Sequence, residues 1–269
     1  MFGLKVLDSK HAYKLNSERD TYKDAVDRLI TVVSKQSSEL SHEFGLSSFL
    51  EKFIHKITSS KSQLFQDLFV LYCMNNKENG FFVEFGATDG YSLSNTYLLE
   101  KEYGWKGILA EPAKIWKPKL LKNRNCFIED KCVWTKSGEI IQFIETDTAE
   151  LSTIDLFVDA DRHSQNRKGR KTYEVETISL NDLLKKYNAP AVIDYLSIDT
   201  EGSEFDILNS FNFSGYKINI ITVEHNATEK REMIFDLLTS KGYKRVFQEI
   251  TRYDDWYLEE SLFNLLTHK

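Results

Sequence analysis

The sequence predicts an α/β fold: a doubly wound, mostly parallel sheet with helices on both faces, preceded by a helical extension. Three observations predict it. From residue 63 onward, apolar runs of strand length alternate with helix-length segments, the order that gives a parallel sheet covered on both sides. The run at 81–85 is apolar except for Glu84 and passes directly into Gly86-Ala87-Thr88-Asp89-Gly90, as a buried strand passes into a tight loop. The run at 107–111 ends in Glu111. A glycine loop after one strand and an acid after the next is the layout of a doubly wound nucleotide site.

Residues 1–62 read as the helical extension. Ala25, Leu29, Val32 and Val33 fall at helical spacing, as do Phe49, Leu50, Phe53, Ile54 and Ile57, with Gly45 between the two stretches. The second unit, 63–269, opens with a helix over 63–74 that leads into the 81–85 strand. Further strands are expected at 107–111, 126–129, 140–144, 172–178, 192–198, 218–224, 244–250 and 255–258. Helices are expected at 94–102, 113–122, 180–187, 204–210 and 228–241. Ser179 with Asp182 supplies a capping-box start for the helix at 180.

Composition narrows the function. With 41% hydrophobic and 13% aromatic residues in 269, the chain can build a real core and is not globally disordered. A net charge of −6 argues against a nucleic-acid backbone as the main partner. Cys73, Cys126 and Cys132 lack metal-site spacing and read as buried thiols in a reducing cytoplasm. Residues 1–14 lack the apolar core of a signal peptide, and no run approaches the roughly 18 apolar residues of a membrane span.

The loop at 84–90 is not a dinucleotide fingerprint. Its spacing is Glu-x-Gly-x-x-x-Gly, and its acids, Glu84 and Asp89, would repel a pyrophosphate. Acids there suit a cationic, amine-bearing ligand, a demand that S-adenosylmethionine meets with its sulfonium and ammonium.

Several separated segments extend this reading. They are Ser62-Gln63 with Gln66-Asp67; 83–90; Ser94-Asn95-Thr96 with Leu99-Glu100; Gly104-Trp105-Lys106-Gly107; Glu111-Pro112 leading to Asn123-Arg124; 194–204; and Val223-Glu224-His225-Asn226. In this order the chain resembles the FkbM-type methyltransferases, a branch of the S-adenosylmethionine-dependent class I enzymes, over about 63–258. The resemblance implies a Rossmann-like seven-stranded sheet whose last strand is antiparallel. It also implies methylation of hydroxyl groups, often on sugars or secondary metabolites.

Open sheets bind ligands beyond the carboxyl ends of their strands, so the residues closing each strand are the candidates. For the donor, Gly86 and Gly90 are expected to let the loop approach the methionine part. Glu84 and Asp89 are expected to meet its ammonium, and Glu111 its ribose hydroxyls. Ser94, Asn95 and Thr96 open a helix and either meet the donor's carboxylate or simply cap that helix. Asp130, at the edge that borders adenine in this fold, is either an acceptor for the exocyclic amine or a solvated turn acid.

For chemistry, Asp199, Glu201 and Glu204 crowd three carboxylates into six residues. The resemblance puts Asp199 near the reacting methyl. Glu201 is expected to orient the acceptor hydroxyl, while Glu204 either contacts the acceptor or complements a helix dipole. Glu224, His225 and Asn226 close the next strand, and His225 is expected to act as general base. The same acids with His225 form an alternative magnesium or manganese site, although the reaction itself needs no metal.

The one strongly basic run, 159–171, carries Arg162, Arg167, Lys168, Arg170 and Lys171. It is either a solvated loop or a grip for the diphosphate of a nucleotide-activated sugar. Trp256 and Tyr257 are either core or a platform for a sugar ring. Lysine, asparagine, isoleucine and phenylalanine usage suits a low-GC bacterium. The sequence reading is therefore O-methylation of a sugar hydroxyl, on a nucleotide-linked heptose or hexose for a capsule or other surface polysaccharide. The alternatives are a non-sugar metabolite and a non-catalytic binding module. A homodimer through the N-terminal apolar stripes is compatible with the sequence.

Overall fold

The computed structural model describes residue 23 and residues 46–145, 153–154, 171–226, 228–248 and 251–267. The basic run, including Arg162, Arg167, Lys168 and Arg170, lies outside the described residues.

In chain order the elements are α1 (Leu46–Phe53), a 3-10 turn (Ile54–Lys56), α2 (Gln66–Cys73), β1 (Phe81–Phe85), α3 (Tyr97–Tyr103), β2 (Lys106–Ala110), α4 (Lys117–Asn123) and β3 (Phe127–Glu129). A β-insert follows, made of β4 (Cys132–Trp134), β5 (Ile140–Glu145), β6 (Thr153–Ile154) and β7 (Lys171–Ser179). The chain then continues through α5 (Leu180–Lys186), β8 (Val192–Ile198), α6 (Glu204–Ser210), β9 (Lys217–Glu224), α7 (Lys230–Ser240), β10 (Tyr243–Val246), β11 (Asp254–Glu259) and α8 (Glu260–Thr267).

Seven strands form the main sheet in the order β10-β11-β9-β8-β1-β2-β3. β1, β2, β3, β8 and β9 pair in parallel, and β11 runs antiparallel to both β9 and β10. The physical reason for the parallel centre is visible in the strands. Along β1, Phe82 and Val83 are both fully buried, one on each face, because helices cover both sides. One face carries α2, α3 and the described end of the N-terminal extension, with Phe49 and Phe53 packed beside Phe69, Phe82 and Trp256. Leu183, Leu208, Ile234 and Leu238, from α5, α6 and α7, cover the other face against Val83, Leu196 and Ile221.

Ser179 caps α5, accepting from the Asp182 amide as its sequence predicts. Trp256 and Tyr257 lie in the core, 1% and 0% exposed, so neither offers a ring to a ligand. The runs at 140–144 and 172–178 do form strands, but in a separate four-stranded sheet, β4-β7-β5-β6, that leaves the main sheet between β3 and α5. No described helix is long and apolar enough to cross a membrane.

Candidate active site

The carboxyl edge of the main sheet gathers acids. Glu84 is the penultimate residue of β1, and Glu111 follows β2. Asp199 follows β8, and Glu224 closes β9. Asp254 opens β11 in register with Glu224, and because β11 is antiparallel its first residue arrives at the same edge.

The glycine loop is held by packing inside the protein. Gly86 sits at φ +72°, and a Cβ there would lie 1.8 Å from the Asp199 carbonyl oxygen. Gly90, also at φ +72°, would put a Cβ 2.6 Å from Arg124 and from Leu120. Both glycines are therefore required by neighbouring chain and by their left-handed backbone.

Glu84 anchors the far end of this loop. Its carboxylate accepts from the Asn95 amide at 2.7 Å, Thr96 Oγ1 at 2.5 Å and Ser94 Oγ at 3.1 Å. Ser94 and Thr96 thus turn inward to Glu84, and Asn95 donates through Nδ2 to Ser197 Oγ at 2.9 Å. Ser94 and Thr96 build the loop, while the buried Oδ1 of Asn95 has no hydrogen-bond partner among the described residues. Asp89 is likewise used locally, accepting from the amides of Tyr91 and Ser92.

Arg124, whose side chain is fully buried, ties the assembly together. It donates to Glu100 Oε2 at 2.6 Å, Thr96 Oγ1 at 2.8 Å, Ser94 Oγ at 3.0 Å and the Gly90 carbonyl at 3.2 Å. Asn123 donates to the Asp89 carbonyl at 2.8 Å. The sequence segment Asn123-Arg124 belongs to the resemblance, but nothing in its spacing revealed this bolt.

Glu111 is buried, with one oxygen accepting from the Thr88 amide and the other from the Ala113 amide, both at 2.8 Å. Burial raises its carboxyl to about 7 despite these two bonds. Each oxygen keeps further lone-pair capacity, so a vicinal diol supplying two O–H donors fits the donor set. Asp130 lies beside Glu111 at this edge, one residue past the Glu129 carbonyl that accepts from the Glu111 amide at 3.0 Å. It is largely exposed and paired with Lys117 at 2.6 Å, a surface ion pair that lowers its carboxyl. Its buried neighbour Glu129 pairs with Lys186.

Asp199, Glu201 and Glu224 each offer an oxygen within 4.8 Å of the others. Asp199 is the most exposed of the three, Glu224 is half-buried and Glu201 is buried. Burial is the first cause that raises Asp199 and Glu224, and the charge of Asp199 raises Glu224 further. Glu224 hydrogen-bonds to Asp199, which draws the Asp199 carboxyl down against burial, and the two titrate as a pair. Asp254 is raised by burial to about 7 and accepts from Gln66 Nε2 at 2.6 Å.

Glu201 sits in left-handed backbone at φ +58°. Glu204 explains how the chain tolerates this: its Oε1 accepts from the amides of Thr200 and Gly202 and from Thr200 Oγ1, pinning the turn from both sides. Glu204 is thus occupied with the turn and opens α6 as well.

His225 follows Glu224 and shares a cavity with Glu204, but its ring reaches toward Asp255. Neighbours on a strand point to opposite faces, so Asp254 shares a face with Glu224 while Asp255 points away. His225 Nε2 is 3.8 Å from Asp255, whose carboxylate also holds Arg231 and Arg245. Burial lowers the His225 pKa and keeps the ring neutral at pH 7. Together with Gly202, Glu204, Asn226, Thr228, Glu229 and Lys230 it lines a cavity of about 280 Å³. Asn226 adopts φ +46°, and its buried Oδ1 has no hydrogen-bond partner among the described residues.

A central parallel sheet ending in an antiparallel strand between β9 and β10, with acids at the carboxyl ends of β1, β2, β8 and β9, defines a class I methyltransferase fold. The methyltransferase FkbM domain matches residues 84–245, more than half of the chain, and the protein belongs to that family. Two solved structures resemble it distantly. One is a precorrin-6y C5,15-methyltransferase from Geobacter metallireducens GS-15, 8% identical over 66% of this chain and 71% of that one, with a TM-score of 0.38. The other is a fibrillarin/Nop5p complex, 12% identical over 66% of this chain and 71% of that one, with a TM-score of 0.32. Identities and scores this low say nothing about substrate. No curated protein matches the chain.

Proposed function

We propose that the protein transfers a methyl group from S-adenosylmethionine to a hydroxyl of a polar small molecule, with a sugar as the favoured acceptor. The observation that carries this is the pairing of Glu111, beside the glycine loop, with the Asp199–Glu224 carboxyl pair at the end of the adjoining strands. When bound, S-adenosylmethionine supplies a methyl already activated on a sulfonium. Glu111 accepts the ribose hydroxyls, and the Arg124-bolted loop fixes the backbone around Thr88. Asp199 accepts the acceptor hydroxyl's proton, a task suited to a carboxylate whose affinity for protons burial has raised. Glu224, hydrogen-bonded to Asp199, holds that carboxylate in place. This assigns the base to Asp199 rather than to His225, which faces Asp255. A sugar acceptor is favoured by this edge rich in carboxylates, which accept from hydroxyls; the further detail of a nucleotide-linked heptose or hexose rests on the basic run alone.

The test is calorimetric titration of S-adenosylhomocysteine into the wild type and Glu111→Ala. Binding by the wild type with at least roughly tenfold weakening in the variant is expected, since two hydrogen bonds to a charged group are lost. Asp199→Asn should bind as the wild type does while losing at least about a hundredfold in kcat on whichever hydroxylated acceptor a methyl-transfer screen identifies. Failure of the folded wild type to bind at millimolar ligand would leave only a shared fold.

A second reading is favoured by the convergence of Asp199, Glu201 and Glu224. Three carboxylate oxygens within 4.8 Å can hold magnesium or manganese, which would relieve their repulsion and grip a diol. Glu204 and His225 drop out of that ligand set because one pins the turn and the other faces Asp255. Activity abolished by a chelator and restored by the cation would establish this reading; activity indifferent to the chelator would refute it.

A further inference from the structure

We propose that Glu145 and Tyr173, both on the inserted four-stranded sheet, are positioning residues for the donor site: they prop the loop that carries Glu111 and govern how Glu111 receives a ribose diol. The inference rests on the reading of Glu111 as the ribose acceptor. Neither residue stands near Glu111 in sequence, and neither belongs to the main sheet.

The contacts form a strut. Glu145, at the last position of β5, is buried, 7% exposed, although it is a carboxylate. Its Oε2 accepts from the Tyr173 hydroxyl at 2.9 Å and from the Ile115 amide at 3.3 Å. Tyr173, on β7, accepts from the Lys114 amide at 3.0 Å, and the Lys114 ammonium lies 4.2 Å above its ring. Glu111 itself takes the Ala113 amide. Three successive backbone amides after Pro112 are thereby fixed, one by the donor acid and two by the insert. The apolar seat beneath the strut is Ala113 with Cys132, Phe143 and Val175, so the loop and the insert share one small core.

A purely mechanical prop would not need a charge in so dry a place, because burying an extra carboxylate costs free energy. Glu145 also acts on Glu111 through space. Its negative charge adds to burial in raising the Glu111 carboxyl, while the Thr88 and Ala113 amides oppose it. The other groups facing Glu111 are Tyr173 from β7, Cys132 from β4 and Asp199 beyond β8. Of these only Asp199 carries charge near neutrality, and it lies across the site from the strut. The Glu145→Gln change is nearly isosteric. Both recorded bonds to Glu145 involve one oxygen, which the amide oxygen of glutamine can replace, so the charge is removed while the strut is kept.

The experiment is calorimetric titration of S-adenosylhomocysteine across about pH 6 to 8.5 into the wild type, Glu145→Gln and Tyr173→Phe. The wild type should bind more tightly as pH rises through about 7, because the ionised Glu111 is the better acceptor. Glu145→Gln should keep tight binding but move the midpoint of that profile to lower pH. Tyr173→Phe should weaken binding by roughly fivefold at every pH by freeing the Lys114 amide. Wild-type binding with an unmoved midpoint in a folded Glu145→Gln, or with undiminished affinity in Tyr173→Phe, overturns the inference while leaving the donor site standing. Absence of binding by the wild type overturns the donor reading and this inference together.

Discussion

Arg124 is the residue on which most of the donor loop depends. Its guanidinium has no exposure and serves Glu84, Glu100, Ser94, Thr96 and the Gly90 carbonyl at once. Its planar fork of donors suits this many-sided role as a lysine would not. Arg124→Ala leaves the buried Glu84 without its cation and Glu100 with Lys101 alone, and a loss of about 3–5 kcal/mol of stability is expected, measurable by urea unfolding. Gly86→Ala should be at least as damaging, because its methyl meets the Asp199 carbonyl and the backbone there is left-handed. The expected outcome is a large drop in melting temperature together with loss of S-adenosylhomocysteine binding.

Among the elements, the turn from Asp199 to Glu204 is the one on which the proposed chemistry depends most. It follows a strand buried along almost its whole length, so its start is fixed rigidly against β1 and β9. The strained Glu201 is then held by the three bonds that Glu204 accepts. Glu204→Ala should release that turn. Because the donor acid Glu111 sits on a different strand, kcat should fall much further than S-adenosylhomocysteine affinity. An equal loss in both would show that Glu204 supports the whole edge rather than the turn. The inserted sheet is the second functional element, since its strands reach back to the Glu111 loop.

At the scale of the whole molecule, the acids at the sheet edge set a pH dependence of stability. Glu111 and Asp254 are raised to about 7, and Asp199 and Glu224 are raised as well, all by burial first. A raised carboxyl favours the folded state fully below its unfolded value and loses that contribution as pH rises through its folded value. His225 has the opposite sign: its lowered pKa removes stability as pH falls below about 6.5. Between about pH 6.5 and 8 the acids act alone, so the melting temperature should fall as pH rises. Asp254→Asn, which keeps an oxygen for Gln66, should flatten that slope.

Much of this was legible in the sequence because local pattern and global fold agree. Apolar strand runs, Gly86 and Glu111 all announced the alternating sheet and its ligand edge, and the convergence of Asp199, Glu201 and Glu224 followed from strands that end together. What the chain order could not show is which way a side chain turns. Ser94 and Thr96 turn inward to Glu84, and the His225 ring reaches toward Asp255, directions that chain order does not announce. Arg124, Glu145 and Tyr173 act on residues 24 to 59 positions away, and no spacing rule reaches that far. The sequence by itself therefore determined the layers, the strand order class and the acids at the edge, because burial and periodicity are local. Only the tertiary structure decided which of those acids are consumed by the protein and which remain to meet a ligand, because hydrogen-bond partners are chosen by packing between distant elements.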